Sequence, residues 1–166
     1  MPEMCDEQQY RDAEVAAAGM LSRRPLSAAM LEQKLLDKGF APEAADYAVQ
    51  RMRLLRAIDD EAYAEMLIRS YRNKGYGAKR IRQELYQRGV PKDTAAQQLR
   101  NMEPNWKKMH ALLEKKLRGD VSDRKQREKA MAALQRRGFT FSEIKIAMDN
   151  YRAELQQQQE EEFYVD

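Results

Sequence analysis

In 166 residues there are one cysteine, one histidine, seven glycines and five prolines. A lone cysteine, Cys5, closes no internal disulfide and builds no cysteine-based metal cage, which excludes a stapled secreted scaffold and leads us to expect a reducing, cytoplasmic setting. The lone histidine, His110, stands in Trp106-Lys107-Lys108-Met109-His110-Ala111-Leu112-Leu113 with no Ser, Cys or Asp close by. It reads as a half-exposed helical residue and not as a catalytic base. His110 and Glu114 are four apart on one helix face, but two ligands are not a metal site. Valine, isoleucine and threonine together number 12 against 22 alanines and 15 leucines, so the residues that pleated strands favour are scarce and helix formers abound. No apolar run approaches the 18 or so residues of a membrane span, and no charged-then-apolar leader opens the chain, so neither a span nor a secretion signal is expected.

What is present is charge: 34% of residues are charged, 43% are hydrophobic, and mean hydropathy is -0.86. A chain of this length can bury a core. Its apolar surface, however, has to come from alanines and from thin stripes on helices, which predicts an elongated shape.

A repeat organises the chain. Gly39, Gly89 and Gly138 each follow a basic residue (Lys38, Arg88, Arg137) and precede an apolar one (Phe40, Val90, Phe139). Four residues before each glycine stands a leucine, Leu35, Leu85 or Leu134, and eight before stand Leu31, Ile81 and Ala130, offsets that trace one helical stripe. A glycine after a basic last turn is a helix C-terminal signal. Beyond it a second stripe recurs as Ala45/Val49/Met52, Ala95/Leu99/Met102 and Ile144/Met148/Tyr151, with starts marked by Pro42, by Pro91 and by Thr140 or Ser142. A further stripe precedes each pair: Tyr10/Ala13/Ala17/Met20/Leu21, then Tyr63/Met66/Leu67/Tyr71, then Trp106/Met109/Leu113/Leu117. Asp59 or Asp60 and Asn105 are placed to cap the first helices of the second and third copies.

The expected fold is therefore all-α, three tandem three-helix repeats forming an elongated, curved array, each module leaning on its neighbour. Residues 1–56 form the first module, 57–103 the second, 104–152 the third, and 153–166 a polar acidic tail that is either a helix extension or disordered.

A net charge of +3 hides strong segregation. Residues 104–152 hold 13 basic against 6 acidic side chains, whereas 153–166 hold none against 5. Between 69 and 88, Arg69, Arg72, Lys74, Lys79, Arg80, Arg82 and Arg88 face a single Glu84. With Ala78, Ile81 and Leu85 as the buried stripe, Lys79, Arg82, Gln83 and Tyr86 fall on the opposite face as a basic ridge. The joint before it, Lys74-Gly75-Tyr76-Gly77, sets an aromatic between two glycines, and aromatics beside arginines suit partner surfaces and phosphate-rich ligands. The GxxxxGK[ST] and GxGxxG spacings are absent, so no nucleotide loop is expected.

The run Ile58-Asp59-Asp60-Glu61-Ala62-Tyr63-Ala64 followed by Lys74-Gly75-Tyr76-Gly77-Ala78-Lys79-Arg80-Ile81-Arg82-Gln83-Glu84-Leu85-Tyr86-Gln87-Arg88-Gly89-Val90 resembles the central repeat of the RecX family, regulators of the RecA recombinase. The first copy is similar through Ser22-Arg23-Arg24-Pro25-Leu26-Ser27 and Leu31 to Phe40, the third through Arg124 to Phe139, so the resemblance spans residues 7 to 152. It implies a non-enzymatic modulator, usually negative, that lies in the groove of the RecA filament on single-stranded DNA, limits filament extension, and lowers strand exchange, ATPase and coprotease activity. The partners it implies are the RecA filament and, weakly, single-stranded and duplex DNA; the protein itself is expected to be a monomer.

The surface expected to meet RecA and DNA takes Arg24 from the first joint, and Arg69, Arg72, Lys74 and Tyr76 from around the second. The helix after that joint adds Lys79, Arg80, Arg82, Tyr86 and Arg88, and the approach to the third joint adds Lys115, Lys116 and Arg118. No catalytic, cofactor-binding or metal residue is assigned. Two other readings compete. Three-helix units also build stand-alone DNA-binding modules. An enzyme is the weakest reading, since no Walker loop, HExxH, nucleophile elbow or paired carboxylates appear, and Asp59-Asp60-Glu61 reads as helix-start charge.

Overall fold

A computed structural model describes residues 6–165; Cys5 lies outside the described residues. Among them the chain forms α-helices and no strand: α1 (Glu7–Arg23), α2 (Ala28–Asp37), α3 (Pro42–Leu54), α4 (Asp60–Asn73), α5 (Ala78–Gln87), α6 (Lys92–Leu99), α7 (Trp106–Leu117), α8 (Arg124–Arg136) and α9 (Phe141–Tyr164). None is long and apolar enough to cross a membrane.

Local chemistry accounts for the helix starts. The Asp6 carboxylate accepts from Gln9 N–H, the Asn105 amide oxygen from Lys108 N–H, and the Asp123 carboxylate from Lys125 N–H. Thr140 closes a reciprocal capping box with Glu143. Asp59 caps α4 by accepting from Glu61 and Ala62, both at 3.1 Å. Asp60 serves a different helix, its carboxylate taking the Ala28 N–H at the start of α2 at 2.9 Å.

The helix ends explain the Leu-x-x-x-Gly-apolar signature. Phe40, Val90 and Phe139 donate their N–H groups to the carbonyls of Leu35, Leu85 and Leu134, at 3.2, 3.0 and 3.3 Å. That is the six-to-one bond of a helix terminated by a left-handed residue, and it places the apolar residue after the glycine against the leucine's turn.

By contacts the chain divides into two compact units, residues 1–67 with 84–100 and residues 68–83 with 101–166, so α4 and α5 each contribute to both. In the first unit α1 packs on α3 and α2 on α3. Ala13, Ala17, Ala44, Ala45 and Ala48, all without exposure, keep these helices close, and Leu31, Leu35, Val49 and Met52 fill the space between. In the second unit α7 packs on α8 and α9 around Met109, Leu113, Leu134, Phe139, Ile144 and Met148, with Trp106 half-buried against them.

Met66, expected on the stripe of α4, is 39% exposed, while Ala64 and Ile68 are buried. The buried face of α4 thus runs 63, 64, 67, 68, the i, i+1, i+4, i+5 spacing of a broad helical face. The polar tail continues α9 to Tyr164 as one helix, and every residue from Gln156 to Val165 is exposed.

Candidate functional site

The site is built where α5 begins. Gly77 N–H donates to the Arg137 carbonyl at 2.8 Å and Lys79 N–H to the Gly138 carbonyl at 3.2 Å. Two donors that the start of a helix leaves unpaired are thus satisfied by carbonyls at the end of α8, with the helix dipoles head to tail. The approach leaves no room for side chains. A Cβ on Gly77 would stand 2.6 Å from the Phe139 nitrogen, and one on Gly138, whose φ is +94°, would stand 2.6 Å from the Arg80 Cβ.

This clasp fixes the aromatic between the glycines. The Arg137 guanidinium donates to the Lys74 carbonyl at 3.1 Å and lies 5.1 Å from the centre of the Tyr76 ring, with the Arg80 guanidinium 5.8 Å from the same ring. Tyr71 meets Tyr76 edge-on at 5.6 Å, and Lys74 sits 5.2 Å over Tyr71. Alternating cations and rings hold one another in place.

Beside Tyr76 opens a cleft of about 330 Å³. Its floor is apolar, from Leu112, Ala130 and Ala133, and its rim carries Lys115 and Lys116 from the last turn of α7 with Arg136 and Arg137 from the end of α8. Among the described residues no carboxylate pairs with Lys115, Lys116 or Arg136. Four cations around an apolar floor and a fixed ring suit an anionic partner that also brings apolar surface.

The candidate residues do not all belong to this cluster. Lys74, Tyr76, Arg80, Lys115 and Lys116 do. Lys79 and Arg82 are exposed on α5, Arg69 is exposed on α4, and Arg118, with φ +51°, ends α7 just beyond the two rim lysines. Arg72 is half-buried and donates to the carbonyls of Glu103 at 2.6 Å and Pro104 at 3.4 Å, so it braces the chain entering α7. Arg24, Tyr86 and Arg88 lie in the first unit. Arg24 and Tyr86 are exposed, whereas the Arg88 guanidinium donates to the Tyr63 hydroxyl at 3.3 Å and pairs with Glu84 at 3.9 Å. Sequence reasoning misses Tyr71, Arg136 and Arg137. The signal for Arg137 is the basic residue that precedes every repeat glycine, which in the sequence reads only as a helix-end charge.

His110 takes no part in the cleft. Its Nε2 pairs with Glu154 at 2.5 Å and its ring lies 5.2 Å from that of Tyr151. The Tyr151 hydroxyl, fully buried, donates to Glu114 at 2.6 Å and accepts from Gly119 N–H at 2.9 Å. Burial, and then the bond to the Glu114 carboxylate, push the Tyr151 phenol above its usual value, because both disfavour the phenolate. Asp120 is held below the usual carboxylate range by the hydroxyl and backbone N–H of Ser122.

Three family models cover most of the chain: the first, second and third three-helix domains of RecX match residues 13–52, 59–99 and 103–148. A curated relative from Vibrio parahaemolyticus, Regulatory protein RecX, is 34% identical over 80% of this chain and 87% of its own length. The chain belongs to the RecX family. A second RecX regulatory protein, from Trichlorobacter lovleyi, is 33% identical over 82% of this chain and 93% of its own. The crystal structure of RecX from Lactobacillus salivarius superposes with a TM-score of 0.82 at 22% identity, covering 88% of this chain and 98% of that one, so the two share the fold. A regulatory role, in place of an enzymatic one, accords with membership of the RecX family.

Proposed function

We propose that this chain is a cytoplasmic negative regulator of RecA that seats in the groove of the RecA filament on single-stranded DNA. There it limits filament extension and so lowers strand exchange, DNA-dependent ATP hydrolysis and coprotease activity. The observation that carries this reading is the cation-rimmed cleft beside the clamped Tyr76, a surface suited to acidic protein and to phosphates. Arg82 and Lys79, exposed on α5 in the same unit, extend the cationic surface. The resemblance in the Lys74-Gly75-Tyr76-Gly77 joint supports the same assignment.

The test is the ATPase of RecA from the same source on single-stranded DNA. The protein is expected to slow it, and Lys79→Glu with Arg82→Glu to raise the concentration for half-inhibition roughly tenfold, the effect of losing about 1.4 kcal/mol of binding. An unchanged ATPase and filament length at stoichiometric excess of the protein would overturn the reading. Tight, sequence-dependent binding to duplex DNA without RecA, weakening steeply with salt, would favour a stand-alone DNA-binding module instead.

A further inference from the structure

Helix α9 outlasts its own buried face. Tyr151 is fully buried and Leu155 half-buried, and beyond them the helix continues to Tyr164, an extension of about 14 Å. Along that extension no side chain is covered. It ends in Glu160-Glu161-Glu162-Phe163-Tyr164, with the two rings 81% and 84% exposed. An isolated polar helix with two apolar rings at its tip is marginal in water.

The unit that bears it is strongly basic without it: residues 68–83 and 101–152 hold 19 basic against 7 acidic side chains. The cleft offers what the tail lacks. Its rim carries Lys115, Lys116 and Arg136, which no carboxylate among the described residues answers, and its floor is apolar beside the edge of Tyr76. Helix α9 runs from Phe141 to Tyr164 unbroken, with no glycine or proline at which a helix ordinarily kinks, so nothing in it favours folding the tip back on its own body. A tip from another molecule needs no kink.

We propose that the acidic-aromatic end of α9 from a second copy of this chain docks in the basic cleft. The carboxylates of Glu160, Glu161 and Glu162 meet the rim cations, and the ring of Phe163 or Tyr164 covers the apolar floor. Association is weak and salt-sensitive, because the charges lie near the surface, and reciprocal exchange of two tails closes a dimer. This departs from the monomer expected from the sequence. The contact does not depend on RecA, and its test contains none, so this inference and the RecA reading fail separately.

The experiment is the mass of the full chain by analytical ultracentrifugation at about 20 mM and about 300 mM salt. Mass is expected to rise with concentration at low salt only. A chain ending at Leu155, the triple variant Glu160→Lys/Glu161→Lys/Glu162→Lys, and Lys115→Glu/Lys116→Glu should each stay monomeric with unchanged helical circular dichroism. Mixing the two charge-reversed variants should restore association. The proposal is overturned if the full chain remains a monomer at low salt, or if removing the tail leaves association unchanged. It also falls if Lys115→Glu/Lys116→Glu loses a single-stranded oligonucleotide yet self-associates like the unaltered chain, for the cleft is then a phosphate site.

Discussion

In the first unit the start of α2 meets the turn at Arg88 and Gly89; in the second the start of α5 meets the turn at Arg137 and Gly138. The two seats occupy equivalent places in the repeat, since Ser27 precedes Gly39 by as many residues as Gly77 precedes Gly89. Their chemistry differs. In the first, Ser27 is wholly buried, caps α2 by accepting from Met30 N–H, and donates its hydroxyl to the Arg88 carbonyl, while Asp60 holds Ala28 N–H. In the second, backbone meets backbone through Gly77, which has no side chain to cap with.

The charge differs in the same sense. By sequence the first unit holds 11 basic against 15 acidic side chains and the second 19 against 12. Cations of the first unit are answered locally, Arg51 by Glu14, Arg53 by Asp60 and Arg88 by Glu84. Around Tyr76, Arg80 and Arg137 gather about a ring and a carbonyl. One seat is thus closed by polar side chains within a balanced surface. The other is closed by bare backbone, beside a rim where Lys115, Lys116 and Arg136 are exposed.

The sharpest way to break this comparison is to add a methyl group. Gly138→Ala combines a left-handed backbone with a collision against Arg80, and is expected to cost about 3 kcal/mol and to loosen the start of α5. Gly39→Ala has nearly the same φ, +95°, but nothing within 4 Å of the new Cβ, so only the backbone penalty of about 1 kcal/mol applies. Urea unfolding of both variants measures the difference; equal losses would mean that the second seat is not tightly closed.

Ser27→Ala tests the side-chain seat. It removes a cap and leaves the part-buried Arg88 carbonyl without its donor, for an expected loss of about 2 kcal/mol. A loss of only a few tenths would put the first seat on the same backbone footing as the second.

An effect as small as that of Gly39→Ala, about 1 kcal/mol at neutral pH, is expected at Tyr151→Phe, with a pH signature that sharpens the assignment. A phenol raised in the folded state binds its proton more tightly there than in the unfolded chain. Its stabilisation is complete below the unfolded value near 10 and is lost as pH rises through the folded value. Stability of the unaltered chain should therefore fall more steeply above about pH 10 than that of the variant.

Much of the fold was legible because its signals are local. Leu35 and Gly39, or Leu85 and Gly89, lie within one turn of each other, and the bond that ends each helix joins residues five apart. The choice between Asp59 and Asp60 as cap was open in the sequence for the same reason that the structure could use both: one caps its own helix, and the other reaches α2. The cleft was half legible. Lys115, Lys116 and Tyr76 stood out by charge and by the glycine joint, but the bond from Arg137 to Lys74 spans 63 residues, and no periodicity reports which helix start abuts which helix end.

By itself, then, the sequence determined the helices, their caps, the repeat and the uneven charge, since each depends on backbone and side-chain interactions within a few residues. Only the tertiary structure decided which glycines are pressed against backbone, which arginines serve as braces, and that Arg136 and Arg137 join the α7 lysines around Tyr76. Those outcomes depend on close approach between segments far apart in the chain, where a fraction of an ångström separates a seat that admits a side chain from one that admits only glycine.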